Sequence, residues 1–507
     1  MLEFGAYAGL SGAGRLSAKA RYGLFTALIM IALTSRIWAA ISLPNAEQDG
    51  YSYAETIGQL SNHFRAGHLG ASDLYGFWLP LFQLVAGLLN VWIHDPIVAG
   101  KIINLLCGAA SLVLVFDLTR VLTGSVAWSV LTFLLLLIDP FHLLYSAACM
   151  TDVPHACLVL SSLWLVMRRR WLAAAIVAAL AECIRVESWA LIAAVPLLQL
   201  MLERRISLPV LCILLIPPIA WLFITYLATG NALHYFQERA RYHAEYLQFH
   251  RAHGFTWEIG FRNIRDFLSG AGWAVTLGAL ATVVIAVWRF VRDYRSNERR
   301  LLPPVIFYTA MLGLIFVAYI SKSQPVLLPR YGLIFFAVGL PLFAWSLQRL
   351  LNERMPPLVK PVIVGVVIGV CLVEMNRQLA PLGKVRNDFR AHQQITGNLI
   401  EALKQAPPEA RCFSDNAGIR VLSKLPADRF LRTPFVPPTA EEDRNHFLEY
   451  LHHEQVMFLV FFPTEDSLPV KFFPELARND QQNGDTFELM TSARSTFGPD
   501  LWLYRLR

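Results

Sequence analysis

Residues 43–55 read LPNAEQDGYSYAE and follow directly on an apolar stretch, about 22–42, of the length that crosses a bilayer. A chain leaving lipid needs polarity. It does not need Glu47, Asp49 and Glu55 spaced among Tyr51 and Tyr53. The stretch therefore raises two expectations: the apolar segment before it is a membrane anchor, and the acids after it do chemistry at the membrane surface.

Composition supports the first. Of 507 residues, 55% are hydrophobic and only 16% charged, and the mean hydropathy is +0.45. Soluble domains carry about a quarter charged residues, so this balance describes a polytopic membrane protein. The net charge of +7 does not signal nucleic acid, because the basic residues sit in short clusters between apolar runs. Seven cysteines, nearly all within or beside apolar segments, imply no disulfide framework. The opening MLEFGAYAGLSGAGRLSAKAR is too polar for a signal-peptide core, so the first apolar run reads as an anchor that stays.

Eleven apolar runs are expected to cross, near 22–42, 97–118, 124–138, 153–167, 171–182, 188–202, 207–229, 271–290, 302–320, 326–348 and 361–376. Alternating crossings with the N-terminus inside place every basic cluster in the cytoplasm. Those clusters are Arg15 to Arg21, Arg120, Arg168–Arg170, Arg204–Arg205, Arg289 to Arg300, and Arg349 to Lys360. The agreement requires that LPLFQLVAGLLNVWI (79–93) lie in the outer interface without crossing. It also requires that 171–202 go out and return, turning at ECIRVES (182–188). The tail from 377 is richer in charge and proline. Within it EQVMFLVFFP (454–463) fits one buried strand and FSDNAG (413–418) a turn after another. The expected division is a membrane domain, 1–376, and a small extracytoplasmic α/β domain, 377–507.

Four features then share the outer face. The first is Asp49 with Glu47, Tyr51 and Tyr53. SAACMTDVPHA (146–156) puts Asp152 at the start of a helix, and the hairpin apex carries Arg185 with Glu187. QPVLLPRYG (324–332) brings Arg330 and Tyr331 to the boundary of a late helix, with Lys322 just before it. A carboxylate can take the proton from an attacking hydroxyl, and cations can stabilise a departing phosphate. Charges at membrane depth are expensive and point to function. Each feature has a plainer reading too: a solvated loop acid at Asp49, a helix cap at Asp152, a structural ion pair at Arg185 and Glu187, an interface anchor at Arg330. His243, Glu245, His250 and His253 lack metal-ligand spacing, and their stretch, 234–255, reads as an amphipathic surface helix.

The arrangement resembles the GT-C superfamily of polyprenyl-phosphate-sugar-dependent glycosyltransferases, and within it the protein O-mannosyltransferases and the lipid A aminoarabinose transferases. The resemblance rests on LPNAEQDGYSY after the first helix, the interfacial GFWLPLFQLVAG, YSAACMTDVP in the second loop, and the late RYG. It spans most of residues 20–350. It implies an α-helical polytopic fold of about eleven transmembrane helices with juxtamembrane helices in the first external loop. It further implies that Asp49 is the base or acceptor-binding acid and Asp152 the second-loop acid. Glu47, Tyr51, Tyr53, Arg185, Glu187, Lys322, Arg330 and Tyr331 are left as substrate-binding residues. Relatives often carry adjacent acids in the first loop, whereas Gly50 follows Asp49 here, so Glu47 or Glu55 stands in or one acid suffices. Relatives also often place Lys or His before the interfacial Pro. Leu79 stands there, so the phosphate contact falls to Arg185 or Arg330.

The expected function is transfer of a sugar, a mannose-like hexose or related, from a polyprenyl-phosphate donor to an acceptor protein, lipid or glycan on the extracytoplasmic side. The expected setting is a bacterial inner membrane rather than the endoplasmic reticulum, with no cofactor, no metal and no nucleic acid. A transporter or flippase of an amphipathic lipid-linked substrate is the alternative. That class is expected to show repeated halves and interrupted helices at mid-membrane, and this sequence has its polar residues at one rim.

Overall fold

The computed structural model describes residues 18–45, 47–76, 78–241, 244, 257–292, 297–320, 327–352, 356, 359–414, 416–431, 444–461, 468–473, 476, 486–494 and 500–506. Lys322 and most of the histidine-rich stretch, including His243, Glu245, His250 and His253, lie outside the described residues.

All eleven apolar runs are helical. This is what lipid requires, since only a helix or a closed barrel satisfies every backbone group without water. Eight helices among the described residues are long and apolar enough to cross a membrane. The pair Val126–Ile138 and Pro140–Ser146, bent by 63°, passes the same test only when taken together. The remaining two, Asp152–Met167 and Trp171–Glu182, have 16 and 12 residues. At 1.5 Å per residue they reach about 24 and 18 Å, short of the roughly 30 Å hydrocarbon core. By length and composition the described residues hold eight spans, nine if the bent pair is one, beside these shorter apolar helices among the eleven runs. Leu81–Ile93, expected to lie along the interface, is also short, with 13 residues.

The bend at Asp139 falls at the end of the run 124–138, expected to be a simple span. Asp139 caps the second piece, accepting from the His142 N–H at 2.7 Å. Arg36, fully buried on the first helix, donates to the carbonyls of Leu136 and Leu137 at 3.2 and 3.1 Å. The carbonyls freed by the break are thus satisfied inside the bundle. At the centre stands Pro329–Asn352, 78% of whose apolar stretch is buried, against 11% for the peripheral Val359–Gln405. The central helix begins with the PRYG turn, so Arg330 enters the interior of the fold.

Val359–Gln405 is one helix of 47 residues, and the boundary expected at 376/377 falls inside it. Beyond it β1 (Arg411–Ser414), β2 (Phe430–Leu431), β3 (Val456–Phe461), β4 (Phe487–Ala493) and β5 (Leu501–Leu506) form one sheet in the order β2-β1-β3-β5-β4. The pairs β1–β2 and β1–β3 are parallel, and β3–β5 and β4–β5 antiparallel. The continuous apolar run of β3 follows from burial on both faces. Phe458 and Val460 pack with Leu399 and Leu403 of the long helix, Leu459 and Phe461 with Phe447 and Phe473 on the other side.

Candidate active site

The expected first external loop is helical where its acids stand. Its acids sit on a helix, Glu47–Ala66, that starts just after Pro44. Asn45 fixes its start by accepting from the Cys149 N–H of the second loop at 2.7 Å. Gly50 backs onto that amide: a Cβ there would lie 3.0 Å from Asn45 Nδ2 and 3.2 Å from Oδ1. A side chain adjacent to Asp49 would therefore press on the amide that ties the two loops together, which gives Gly50 a physical reason.

Residues four apart share a helix face. Asp49 and Tyr53 face the second loop and the late turn. The Tyr53 hydroxyl lies 3.2 Å from Thr151 Oγ1, and its ring packs on Trp78 and Phe82 with centroids 4.5 and 5.8 Å away. Burial pushes the Tyr53 phenol well above its usual pKa, so it stays protonated. Asp152, 5% exposed, opens the helix Asp152–Met167 without capping it, since Thr151 holds the cap position with no side-chain bond. Instead Asp152 Oδ1 accepts from Arg185 Nη1 at 2.6 Å, while its Oδ2 is buried with no hydrogen-bond partner.

Arg185 is held from both sides. Besides Asp152 it forks onto Glu187, with Nη2 to Oε1 at 2.9 Å and Nε to Oε2 at 3.3 Å. Burial works against its charge, but Glu187 and Asp152 outweigh burial and keep the guanidinium well above its usual pKa. Arg330 Nη2 donates to Asp49 Oδ2 at 2.5 Å. Tyr331 lies between the two cations, with Arg185 5.0 Å and Arg330 5.6 Å from its ring centroid.

The Arg330 turn is set by close backbone packing. A Cβ on Gly332 would lie 2.3 Å from the Ala271 nitrogen, and one on Gly270 would lie 1.8 Å from the Pro329 carbonyl oxygen. Only glycines let PRYG seat against the end of Trp257–Ala271, so the RYG triplet encodes a position for Arg330 as well as a charge.

A cleft is lined by Asp152, His155, Arg185, Glu187, Ile315, Arg330, Tyr331 and Ile334. Five of the residues singled out in the sequence thus share one wall, with Asp49 bonded to Arg330 and Tyr53 to Thr151 beside it. Tyr51 is elsewhere: it is buried and its ring stacks on His392 with centroids 5.8 Å apart. Glu55 is bonded to Arg420 and does not join the cleft as a second acid. The Glu47 side chain and Lys322 are outside the described residues.

Sequence reasoning missed His155, whose Nε2 lies 2.6 Å from Ser188 Oγ. Its signal was available, since it stands one helical turn after Asp152. It also missed Arg239, which donates to the Tyr235 hydroxyl at 2.9 Å and whose pKa is raised by Tyr235, Glu187 and Tyr331 against the effect of burial. Arg239 lies in a stretch read as a surface helix. Among the described residues no group of three or more His, Cys, Asp or Glu converges as a metal site.

The many apolar helices define an integral multi-pass membrane protein. No protein-family model matches the chain, and no curated protein sequence matches it. Solved structures do. ArnT from Cupriavidus metallidurans in the apo state is similar with a TM-score of 0.55 at 14% identity, covering 96% of this chain and 98% of that one. The same protein bound to undecaprenyl phosphate gives 0.54 at 13% identity, with the same coverage. The Archaeoglobus fulgidus oligosaccharyltransferase, tethered with an acceptor peptide containing the NVT sequon, gives 0.55 at 11% identity, covering 94% of this chain and 74% of that one. At these identities the likeness is one of fold, and the fold is GT-C-like.

Proposed function

We propose that the protein is a membrane glycosyltransferase that moves a sugar from a polyprenyl-phosphate donor to an acceptor at the extracytoplasmic face. The observation that carries this is the pairing of Asp49 with Arg330 beside the Asp152–Arg185–Glu187 cluster, on a GT-C-like scaffold. Solved structures of that fold support it: one holds undecaprenyl phosphate and another an acceptor peptide.

In this reading the roles follow from access. Asp49 is the more exposed partner of its pair, with 34% of its side chain exposed against 10% for Arg330. An acceptor arriving from water therefore meets the acid, and a phosphate arriving from the bundle meets the cation. The incoming phosphate competes with Asp49 for the Arg330 guanidinium and releases a carboxylate oxygen. Asp49 then accepts the acceptor proton as the acceptor oxygen bonds to the anomeric carbon. The bond from that carbon to the phosphate oxygen breaks, with inversion. Polyprenyl phosphate leaves with the electron pair, its charge met by Arg330 and Arg185. Asp152 and Glu187 hold Arg185 in place, and protonated Tyr53 helps shape the acceptor side.

The test is transfer of labelled sugar from a polyprenyl-phosphate sugar by purified protein in detergent, with mannosyl and aminoarabinosyl donors compared. Transfer that depends on Asp49 and Arg330 supports the reading. Binding and movement of the lipid-linked sugar across vesicles without transfer would favour the transporter.

A further inference from the structure

The helix Glu47–Ala66 is gripped on two faces. Residues two apart lie about 200° round a helix axis and residues four apart lie nearly in line. Asp49 and Tyr53 form the stripe toward the cleft. Tyr51 and Glu55 form the opposite stripe: Tyr51 meets the long helix Val359–Gln405 and Glu55 the unit that follows it. Glu55 accepts from Arg420 Nε at 3.0 Å and Nη2 at 2.9 Å, a forked pair with side chains 16% and 14% exposed. Tyr51 stacks on His392 with the rings only 21° from parallel.

Both partners are themselves anchored. Arg420 Nη1 donates to the Ser414 carbonyl at 2.7 Å, at the end of β1. His392 Nδ1 lies 2.7 Å from the Asp388 carbonyl and its Nε2 3.1 Å from Asn416 Nδ2. Asn416 in turn caps the helix Ala417–Ser423 that carries Arg420. The sheet, the end of the long helix and the capped helix thus converge on one acidic and aromatic stripe. A forked guanidinium fixes direction as well as distance, because two parallel N–H bonds resist rotation.

We propose that the C-terminal unit is a positioning element for the cleft: Arg420 and His392 hold Glu47–Ala66 in the rotation that brings Asp49 to Arg330. The structural part stands on these contacts alone, and its kinetic consequence rests on the glycosyltransferase reading. Arg420 and His392 reach no reacting atom. They act through the helix.

The experiment compares Glu55→Gln, Arg420→Ala and the double exchange Glu55→Arg/Arg420→Glu in the full-length protein. Hydrogen exchange of the amides over 47–55 is read alongside kcat and KM for a polyprenyl-phosphate sugar. A misplacement of about 1 Å can cost up to about a hundredfold in rate. Each single variant is therefore expected to lower kcat roughly tenfold or more, with donor KM within about twofold, and to speed exchange over 47–55. The double exchange is expected to restore most of both. Arg420→Ala also loses the Ser414 bond, so Glu55→Gln, which leaves the C-terminal unit intact, is the deciding variant. Unchanged exchange in Glu55→Gln overturns the proposal, and so does faster exchange with unchanged kcat. If the unaltered protein transfers no sugar, the glycosyltransferase reading fails by itself, and exchange still decides whether the pair holds the helix.

Discussion

Arg330 and Asp49, 281 residues apart in the chain, meet as an ion pair at 2.5 Å. One belongs to the first helix after the first span and the other to the turn that opens the central helix. The pair therefore ties the segment after the first span to the start of the central helix, with the acid the more exposed of the two.

Gly332→Ala tests how that pair is positioned. The added Cβ would lie 2.3 Å from the Ala271 nitrogen, so the PRYG turn must shift. Overpacking of this kind costs about 1–3 kcal/mol. Turnover is expected to fall although no charged group has been removed, with a lower melting temperature. Wild-type kcat in a stably folded Gly332→Ala protein would show that the turn does not set the position of Arg330.

Arg185→Ala removes the shared partner of Asp152 and Glu187 and leaves one buried and one half-buried carboxylate without that cation. Breaking a buried pair from one side costs about 3–5 kcal/mol, so a substantial loss of thermal stability is expected together with a raised KM for the lipid donor or a lowered kcat. Arg185→Lys is expected to restore activity only in part, because a point charge cannot make both the fork to Glu187 and the bond to Asp152. Lower stability with unchanged kinetics would make the cluster purely structural.

Much of this was legible in the sequence because lipid leaves few choices. Apolar runs must be helices, and ECIRVES stood out as charges where a hairpin must turn. The structure then brings Asp49, Asp152, Arg185, Glu187, Arg330 and Tyr331 together. What was not legible depended on rotation and on distant packing. Tyr51 and Tyr53 look equivalent in an exit loop, yet on a helix they point to opposite sides. Glu55 and Arg420 are 365 residues apart, and no local pattern pairs them. The bend at Asp139 depends on Arg36 of another helix, so the run 124–138 read as an uninterrupted span.

The side of the membrane is open to direct measurement. Reporters fused after residue 45 and after residue 93 are expected to report the same, extracytoplasmic side, because Leu81–Ile93 is too short to cross. Opposite sides would invert the later assignments and contradict an extracytoplasmic cleft.

Tyr53→Phe separates shape from hydrogen bonding at the acceptor side. Only the contact to Thr151 is removed, and a hydrogen bond of this kind contributes about 1 kcal/mol. Turnover is expected to stay within roughly tenfold of the unaltered protein. A loss as large as that of an Asp49 variant would instead place the phenol in the chemistry.

The central claim is that Asp49 accepts the acceptor proton, and Asp49→Asn tests it most directly. Asparagine keeps the size and can still accept a hydrogen bond from Arg330, but it cannot take a proton. Turnover of labelled sugar from a polyprenyl-phosphate donor by the purified protein is expected to fall by about 10²–10⁴-fold, the usual contribution of a general base. Glu47→Gln is expected to cost far less, and Asp152→Asn to fall between the two. Near-wild-type turnover by a folded Asp49→Asn protein would contradict the account and make Asp152, with its buried unpaired oxygen, the leading acid.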